Sequence, residues 1–145
     1  MKKQKAFTLL ELAIVVIILG ILVSYGVPRF QRAIEESKVD LAVANLESIW
    51  TAQRLYKAQD QNSEFAIQLS ALNNFLDSSF MTSATDSNAK FIYSTSTGTT
   101  AGEFWAKATR QNSTYWSGYI VIDTSGTLSG YIQDTHGNRV LPSKQ

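Results

Sequence analysis

The chain has no cysteine, so no disulfide can close any of its loops. It has one histidine, His136, inside Asp134-Thr135-His136-Gly137-Asn138, a stretch that reads as a turn. Metal and acid–base sites need several converging groups, and a lone turn histidine does not supply them. Ser125 and Ser129 lie beside glycines but lack a nucleophile-elbow pattern. Catalysis therefore has little support. Charge is sparse and balanced, with 13 basic against 12 acidic residues and 17% charged overall. That excludes a polybasic nucleic-acid surface.

What the chain does have is one long apolar run, Phe7 to Val27, broken by a single acid, Glu11. A helix needs roughly 20 apolar residues to cross a bilayer core. A carboxylate placed there costs roughly 2.5–3.5 kcal/mol on insertion scales, so it should have a partner. Met1 to Ala6 precedes the run with three lysines and no acid. Such a flank keeps the N-terminus on the cytoplasmic side and sends the remainder of the chain outward. Two ordinary readings remain open at this point. One is a cleaved secretory signal, with Ser24-Tyr25-Gly26 as the cut, although Pro28 lies close and Glu11 interrupts the core. The other is a plain signal anchor that tolerates Glu11 near the membrane surface.

Lys5-Ala6-Phe7-Thr8-Leu9-Leu10-Glu11-Leu12-Ala13-Ile14-Val15-Val16 closely resembles the N-terminal signature of type IV pilins and the related pseudopilins. Gly20, Pro28 and Arg29-Phe30-Gln31 also fall where that family has Gly, Pro and a polar–aromatic pattern. The resemblance covers the first third of the chain, through Lys38. It implies that prepilin peptidase cuts between Ala6 and Phe7 and methylates the new amine of Phe7. The family nearly always has Gly before the cut; Ala6 is the nearest substitute in size, and cleavage is expected to be slower. Losing residues 1–6 leaves 10 basic and 12 acidic residues, a net charge of −2.

The resemblance also gives Glu11 a partner. A free α-amine has a pKa of about 8 and is cationic at neutral pH. In a growing filament, the Phe7 amine of an incoming subunit can meet the Glu11 carboxylate of a neighbour. Where water barely reaches, that attraction is stronger than at a surface, and it removes the penalty of an unpaired charge. Phe7, Glu11, Gly20 and Pro28 are thus the expected assembly residues. Pro28 removes a backbone N–H and kinks or breaks a helix, and Gly20 and Gly26 lower helix propensity nearby. A soft segment is expected between Gly20 and Pro28; the alternative is a simple end to the span followed by a separate element.

Past Pro28, residues 30–57 contain no Gly or Pro. Val39, Ala42, Leu46, Ile49 and Tyr56 recur at helical spacing, with Leu41, Trp50 and Leu55 widening the face. One helix is expected from about Thr8 to Ala58. Residues 59–89 read as a connection, with Phe65, Leu69, Leu72 and Leu76 inward and the Ser/Thr/Asn-rich stretch from Asp77 to Ala89 a loop. Strands are expected at Lys90–Thr95, Glu103–Arg110, Trp116–Asp123 and Thr127–Gln133, joined by short turns. Asn112-Ser113-Thr114 fits a glycosylation acceptor but also an ordinary hairpin turn, which is the reading adopted.

The expected fold class is α+β: a long N-terminal helix packed by its C-terminal half against a roughly four-stranded antiparallel sheet. The expected organisation is a cleaved leader 1–6, a membrane or filament-core helix 7–27, an amphipathic half-helix 28–58 and a head 59–145. Within the head the connection is 59–89, the sheet 90–133 and the C-terminal tail 134–145. Many pilins staple that tail with a Cys pair; this chain cannot. Asp123, Asp134 and Asn138 are weak calcium candidates, since calcium takes 6–8 oxygens, and turn formation explains them better; no cofactor is expected. Trp105, Tyr115 and Trp116 fit sheet packing better than an adhesive patch.

Three functions follow as expectations: a type IV pilus subunit serving adhesion, motility or DNA uptake; a pseudopilin of a type II secretion system; or a membrane-anchored binding protein that does not polymerise. The implied partners are prepilin peptidase, copies of itself and related pilins, an inner-membrane assembly platform and the lipid bilayer. The implied location is the inner membrane before assembly, with the head periplasmic or extracellular, and the pilus or pseudopilus afterwards.

Overall fold

A computed structural model describes residues 8–62, 64–98, 100 and 102–142. The leader, including Ala6, and the Phe7 amine lie outside the described residues. The chain divides into two units, residues 1–35 and 36–145.

Helix α1, Leu9–Gln59, contributes to both units and contains Pro28 in its interior. Pro28 cannot donate to the carbonyl of Ser24, four residues back. The helix is nevertheless assigned without interruption through Gly20, Gly26 and Pro28, so the span does not end there in favour of a separate element. Within the first unit the large apolar side chains from Leu9 to Ile34 are all exposed.

The second unit holds the core. Val39, Ala42, Val43, Leu46, Ile49 and Ala52 form the buried stripe of α1. Leu41 and Leu55, expected to widen that stripe, point away from it and are 64% and 49% exposed. The reason is phase: Leu41 is five residues from Leu46, about 140° around a 3.6-residue helix. Val43, Ala52 and the polar Gln53 lie nearer the stripe and are buried instead.

The connection is more ordered than its composition suggests. The Asp60 carboxylate accepts from the N–H groups of Asn62 and Glu64 and turns the chain after α1. Phe65 and Ala66 are buried, and a 3-10 turn at Leu69–Leu72 buries both of its leucines. The expected loop from Asp77 to Ala89 instead contains helix α2, Ser78–Ala84. Asp77 caps it, accepting from the N–H of Ser79 at 2.7 Å and of Phe80 at 3.3 Å. A side-chain oxygen at this position satisfies amides that the helix leaves without partners. The cap gives a Ser/Thr-rich stretch a helical start that its propensities do not favour. Phe80 then packs edge-on against Tyr93.

The sheet has five strands, β1 Phe91–Thr97, β2 Phe104–Arg110, β3 Trp116–Asp123, β4 Leu128–Asp134 and β5 Arg139–Val140, all antiparallel and ordered as in the sequence. The fifth strand comes from the stretch expected to be tail, and β4 reaches Asp134. Two-residue β5 carries too little alternation to be visible in sequence; Val140 pairs opposite Ile132 and is buried. Along β2, Phe104, Ala106, Ala108 and Arg110 face inward and their neighbours are half exposed, which is the period-2 pattern of a one-sided sheet. Ala106 stands opposite Ile122 and Ala108 opposite Ile120. These small residues let the isoleucines of β3 and Leu46 and Ile49 of α1 fill one core.

Candidate functional site

The first feature is the start of α1. The carbonyl of Thr8 accepts from the N–H of Leu12, so Thr8 is the cap residue. Its N–H donates to Glu11 Oε2 at 2.9 Å and its hydroxyl donates to the same oxygen at 3.0 Å. In return the N–H of Glu11 donates to Thr8 Oγ1 at 3.2 Å. This reciprocal pattern is a capping box. It gives Glu11 a partner inside its own chain, which the reading of an isolated acid overlooks. The signal is in the sequence: Thr8 and Glu11 stand three apart immediately before an apolar run. Negative charge is also favoured in the first turn of a helix. A carboxylate accepts several bonds, so the cap and a pairing with an amine are compatible.

The second feature is the surface that follows. Leu9 to Val27 spans about 28 Å at 1.5 Å per residue, close to the thickness of a bilayer core at about 30 Å. Apart from Glu11 the stretch is apolar all round, and none of it is buried within the chain. A helix of this kind needs lipid or other protein around it. Gly20 and Gly26 both face open space: a Cβ at either would meet nothing within 4 Å. Neither glycine is required by a contact within the chain, and either would let another backbone approach closely.

The calcium candidates separate. Asp134 and Asn138 share one turn, where Asp134 Oδ1 accepts from the N–H of His136 and of Asn138, each at 2.8 Å. Asp134 Oδ2 accepts from the Asn138 amide at 2.8 Å. Burial pushes the Asp134 carboxyl up, but these bonds and the nearby His136 hold it below its usual range on balance. Asp123 belongs to another turn, accepting from the N–H of Ser125 and Thr127. The Ser125 hydroxyl and these amides hold it below its usual range as well, against a smaller effect of burial. Asn138 offers its NH₂ rather than its oxygen. Among the described residues no group of three His, Cys, Asp or Glu is arranged for a metal. In the structure these side chains close turns.

His136 stacks near Tyr115, whose hydroxyl lies 3.3 Å from His136 Nδ1 and 3.4 Å from Asp134 Oδ2. Burial and the negative Asp134 raise the Tyr115 pKa. The cluster ties the β2–β3 and β4–β5 turns together. Trp116 packs against the core and Tyr115 stacks edge-on against it; Trp105 is half exposed. Asn112 adopts a left-handed φ of 55°, and its amide donates to the carbonyls of Ser87 and Ala89. That bonding gives the residue a turn-forming task.

Two open grooves flank α1 in the second unit. One, of about 480 Å³, has Asn45, Ser48 and Thr51 on one wall and Phe75, Leu76 and Phe80 on the other. The other, of about 610 Å³, is lined by Trp50, Arg54, Lys57 and Phe65 with the β3–β4 turn. Arg54 lies over Trp50 and Lys57 over Phe65.

The chain thus combines a capped apolar helix start with, in the second unit, a helix packed on an antiparallel sheet, an α+β arrangement. Residues 1–25 match the family described as the prokaryotic N-terminal methylation motif. The chain is 38% identical over 68 residues to the type IV major pilin protein PilA of Myxococcus xanthus, covering 46% of this chain and 31% of that protein. It is 44% identical over 52 residues to a fimbrial protein of Pseudomonas aeruginosa, covering 36% of this chain and 34% of that one. It is 42% identical over 57 residues to the type II secretion system core protein G of Vibrio cholerae, covering 39% of each. The matches thus span about a third of the length of these relatives. No solved structure matches the chain.

Proposed function

We propose that the chain is a structural, non-catalytic subunit of a type IV pilus-like filament, assembled from the inner membrane. The observation that carries this reading is the apolar helix from Leu9 to Val27, uncovered on every side and headed by the capped Glu11 within a methylation motif. Before assembly the helix lies in the bilayer, with the N-terminus cytoplasmic and the head on the far side. Prepilin peptidase cuts between Ala6 and Phe7 and methylates Phe7. An inner-membrane platform then moves the helix from lipid into a bundle of like helices, and the Phe7 amine pairs with Glu11 of a neighbour. Gly20, Gly26 and Pro28 supply compliance and close approach during that transfer. No cofactor is required. The similarity to a type II secretion protein G supports a pseudopilus subunit as the second reading, and both readings share every step above.

Mass spectrometry of the mature chain tests the first step: it should begin with N-methylated Phe7. Glu11→Ala should leave the protein in the membrane and remove filaments from sheared cell fractions. Normal filaments from Glu11→Ala, or a mature chain that still begins with Met1, would overturn the reading.

A further inference from the structure

The outward face of the sheet gathers rings and cations into one band. Alternation puts Trp105 and Lys107 of β2, Tyr119 of β3, Tyr131 of β4 and Arg139 of β5 on the side away from the core. Trp105, Tyr119 and Tyr131 lie outside the core cluster, and Tyr119 is 53% exposed. Register joins them: Tyr119 stands directly opposite Tyr131, and Arg139 lies on the strand next to Tyr131. Lys107 Nζ is 5.6 Å from the centre of the Trp105 ring and 5.8 Å from that of Tyr119. The Arg139 guanidinium is 4.1 Å from the centre of the Tyr131 ring. Attraction to the ring faces holds both cations on the sheet. A guanidinium stacked in this way keeps its N–H edge available to fork a carboxylate. Among the described residues neither Lys107 nor Arg139 has a carboxylate partner. Asp123, the acid that this face does carry, is occupied by the N–H groups of Ser125 and Thr127 in its own turn. Small hydroxyl residues, Thr109 and Ser129 among them, fill the space between the rings.

We infer that this band is a binding site for an acidic polysaccharide, one that carries uronate units among neutral sugars. A sugar ring has an apolar C–H face and a hydroxylated rim. Tyr and Trp offer the matching pair, an apolar body and a polar tip. The rings take the C–H faces, the Ser, Thr and Tyr hydroxyls meet the rim, and Lys107 and Arg139 pair with carboxylates. From β2 to β5 the band is about 14 Å wide, at roughly 4.8 Å per strand, which accommodates a short run of sugar units laid across the strands. The charge pattern favours this ligand over a nucleic-acid strand. Nucleic acid carries a phosphate on every unit, and its binding is driven by the number of phosphates neutralised. Two separated cations, on a chain with 13 basic and 12 acidic residues, suit a polymer whose charges are spaced apart. A purely neutral glycan would leave both cations without a counterpart. The inference goes beyond the filament reading: it concerns the head alone and holds whether or not copies assemble.

Titration calorimetry on the full chain, unassembled in detergent micelles, tests the site. The probes are hyaluronan oligosaccharides, in which uronate and neutral sugars alternate, neutral cello-oligosaccharides of the same length, and oligodeoxythymidylate. Hyaluronan oligosaccharides should bind most tightly of the three. Lys107→Gln combined with Arg139→Gln should weaken that binding by roughly tenfold, through loss of the charge-assisted bonds, and bring it to the level of the neutral sugar. Both positions lie on the solvent side of the sheet and leave the core untouched. Tyr119→Ser should weaken hyaluronan binding as well, whereas Tyr119→Phe, which keeps the ring, should stay within about twofold of wild type. No binding of hyaluronan oligosaccharides, undiminished binding by the Lys107→Gln, Arg139→Gln chain, or tighter binding of oligodeoxythymidylate than of hyaluronan would overturn the inference.

Discussion

Gln53 and Ala66 exchange two hydrogen bonds of 2.8 Å. The side-chain amide of Gln53 donates to the Ala66 carbonyl, and the Ala66 N–H donates to the side-chain oxygen. Both residues are buried. The pair works like one rung of a strand ladder, with a helix side chain standing in for a backbone. It fastens the connecting segment to α1 where no strand is available to satisfy that backbone. Gln53→Leu leaves both Ala66 groups buried without partners, at about 1–3 kcal/mol each. A clear fall in the thermal midpoint of the full chain is expected, on the order of 3–5 °C per kcal/mol. A midpoint within 1 °C of wild type, roughly the scale of a few tenths of a kcal/mol, would show that this tie contributes nothing.

Glu11 has two separable roles, as cap and as charge. Glu11→Gln keeps the capping geometry, since Gln serves at this position too, but removes the negative charge. Thr8→Val removes the cap hydroxyl and keeps the charge. If charge pairing drives assembly, Glu11→Gln loses filaments while Thr8→Val retains most of them. The reverse ranking in sheared-filament yield would assign the residue to helix capping alone.

Acid should loosen the head. Asp77, Asp123 and Asp134 all have pKa values below the usual carboxylate range, through bonds from Ser79 and Phe80, from Ser125, Thr127 and Gly126, and from Asn138 and His136 respectively. A carboxyl lowered in the folded chain stabilises it above the unfolded value of about 3.9. That contribution is lost as pH falls through the folded value. Stability should be flat above about pH 5 and drop below about pH 4. Combining Asp123→Asn with Asp134→Asn should flatten the acid limb of the midpoint-versus-pH curve; an unchanged limb would remove these two turns from the explanation.

Glycines divide by environment. Gly130 has a φ of +93°, and a Cβ there would lie 2.4 Å from the Tyr119 carbonyl oxygen on β3. Gly118 mirrors it, with a Cβ 2.3 Å from the Tyr131 oxygen. Gly130→Ala combines a left-handed penalty of about 1–2 kcal/mol with a backbone clash, so marked destabilisation is expected. Gly20→Ala meets nothing in the chain and gains helix propensity of about 1 kcal/mol. Fewer filaments from Gly20→Ala despite normal membrane levels would locate its contact on a neighbour. Unchanged thermal stability in Gly130→Ala would contradict the close strand approach.

The sequence was informative where periodicity is long. The buried stripe of α1 and the alternation of Phe104, Ala106 and Ala108 were both legible, because each repeats over several turns or pleats. Leu41 and Leu55 were misplaced, since a hydrophobic residue near a stripe is easily credited to it when the helix phase is not followed. Gln53 was invisible, because its burial depends on a backbone partner 13 residues away. Helix α2 was hidden by Ser and Thr, which compete with helical hydrogen bonding, although Asp77 before it was a usable start signal. β5 is too short to show a pattern. At the N-terminus, the three-residue spacing of Thr8 and Glu11 is itself a capping signal.

The order of the strands has a consequence for timing. Each strand pairs only with strands adjacent to it in the chain, so most sheet contacts close short loops. Topologies rich in such local contacts reach their native state quickly. With no cysteine to oxidise, the head depends on no oxidoreductase for its maturation. On the filament reading proposed above, the head would be complete early, before its helix leaves the lipid.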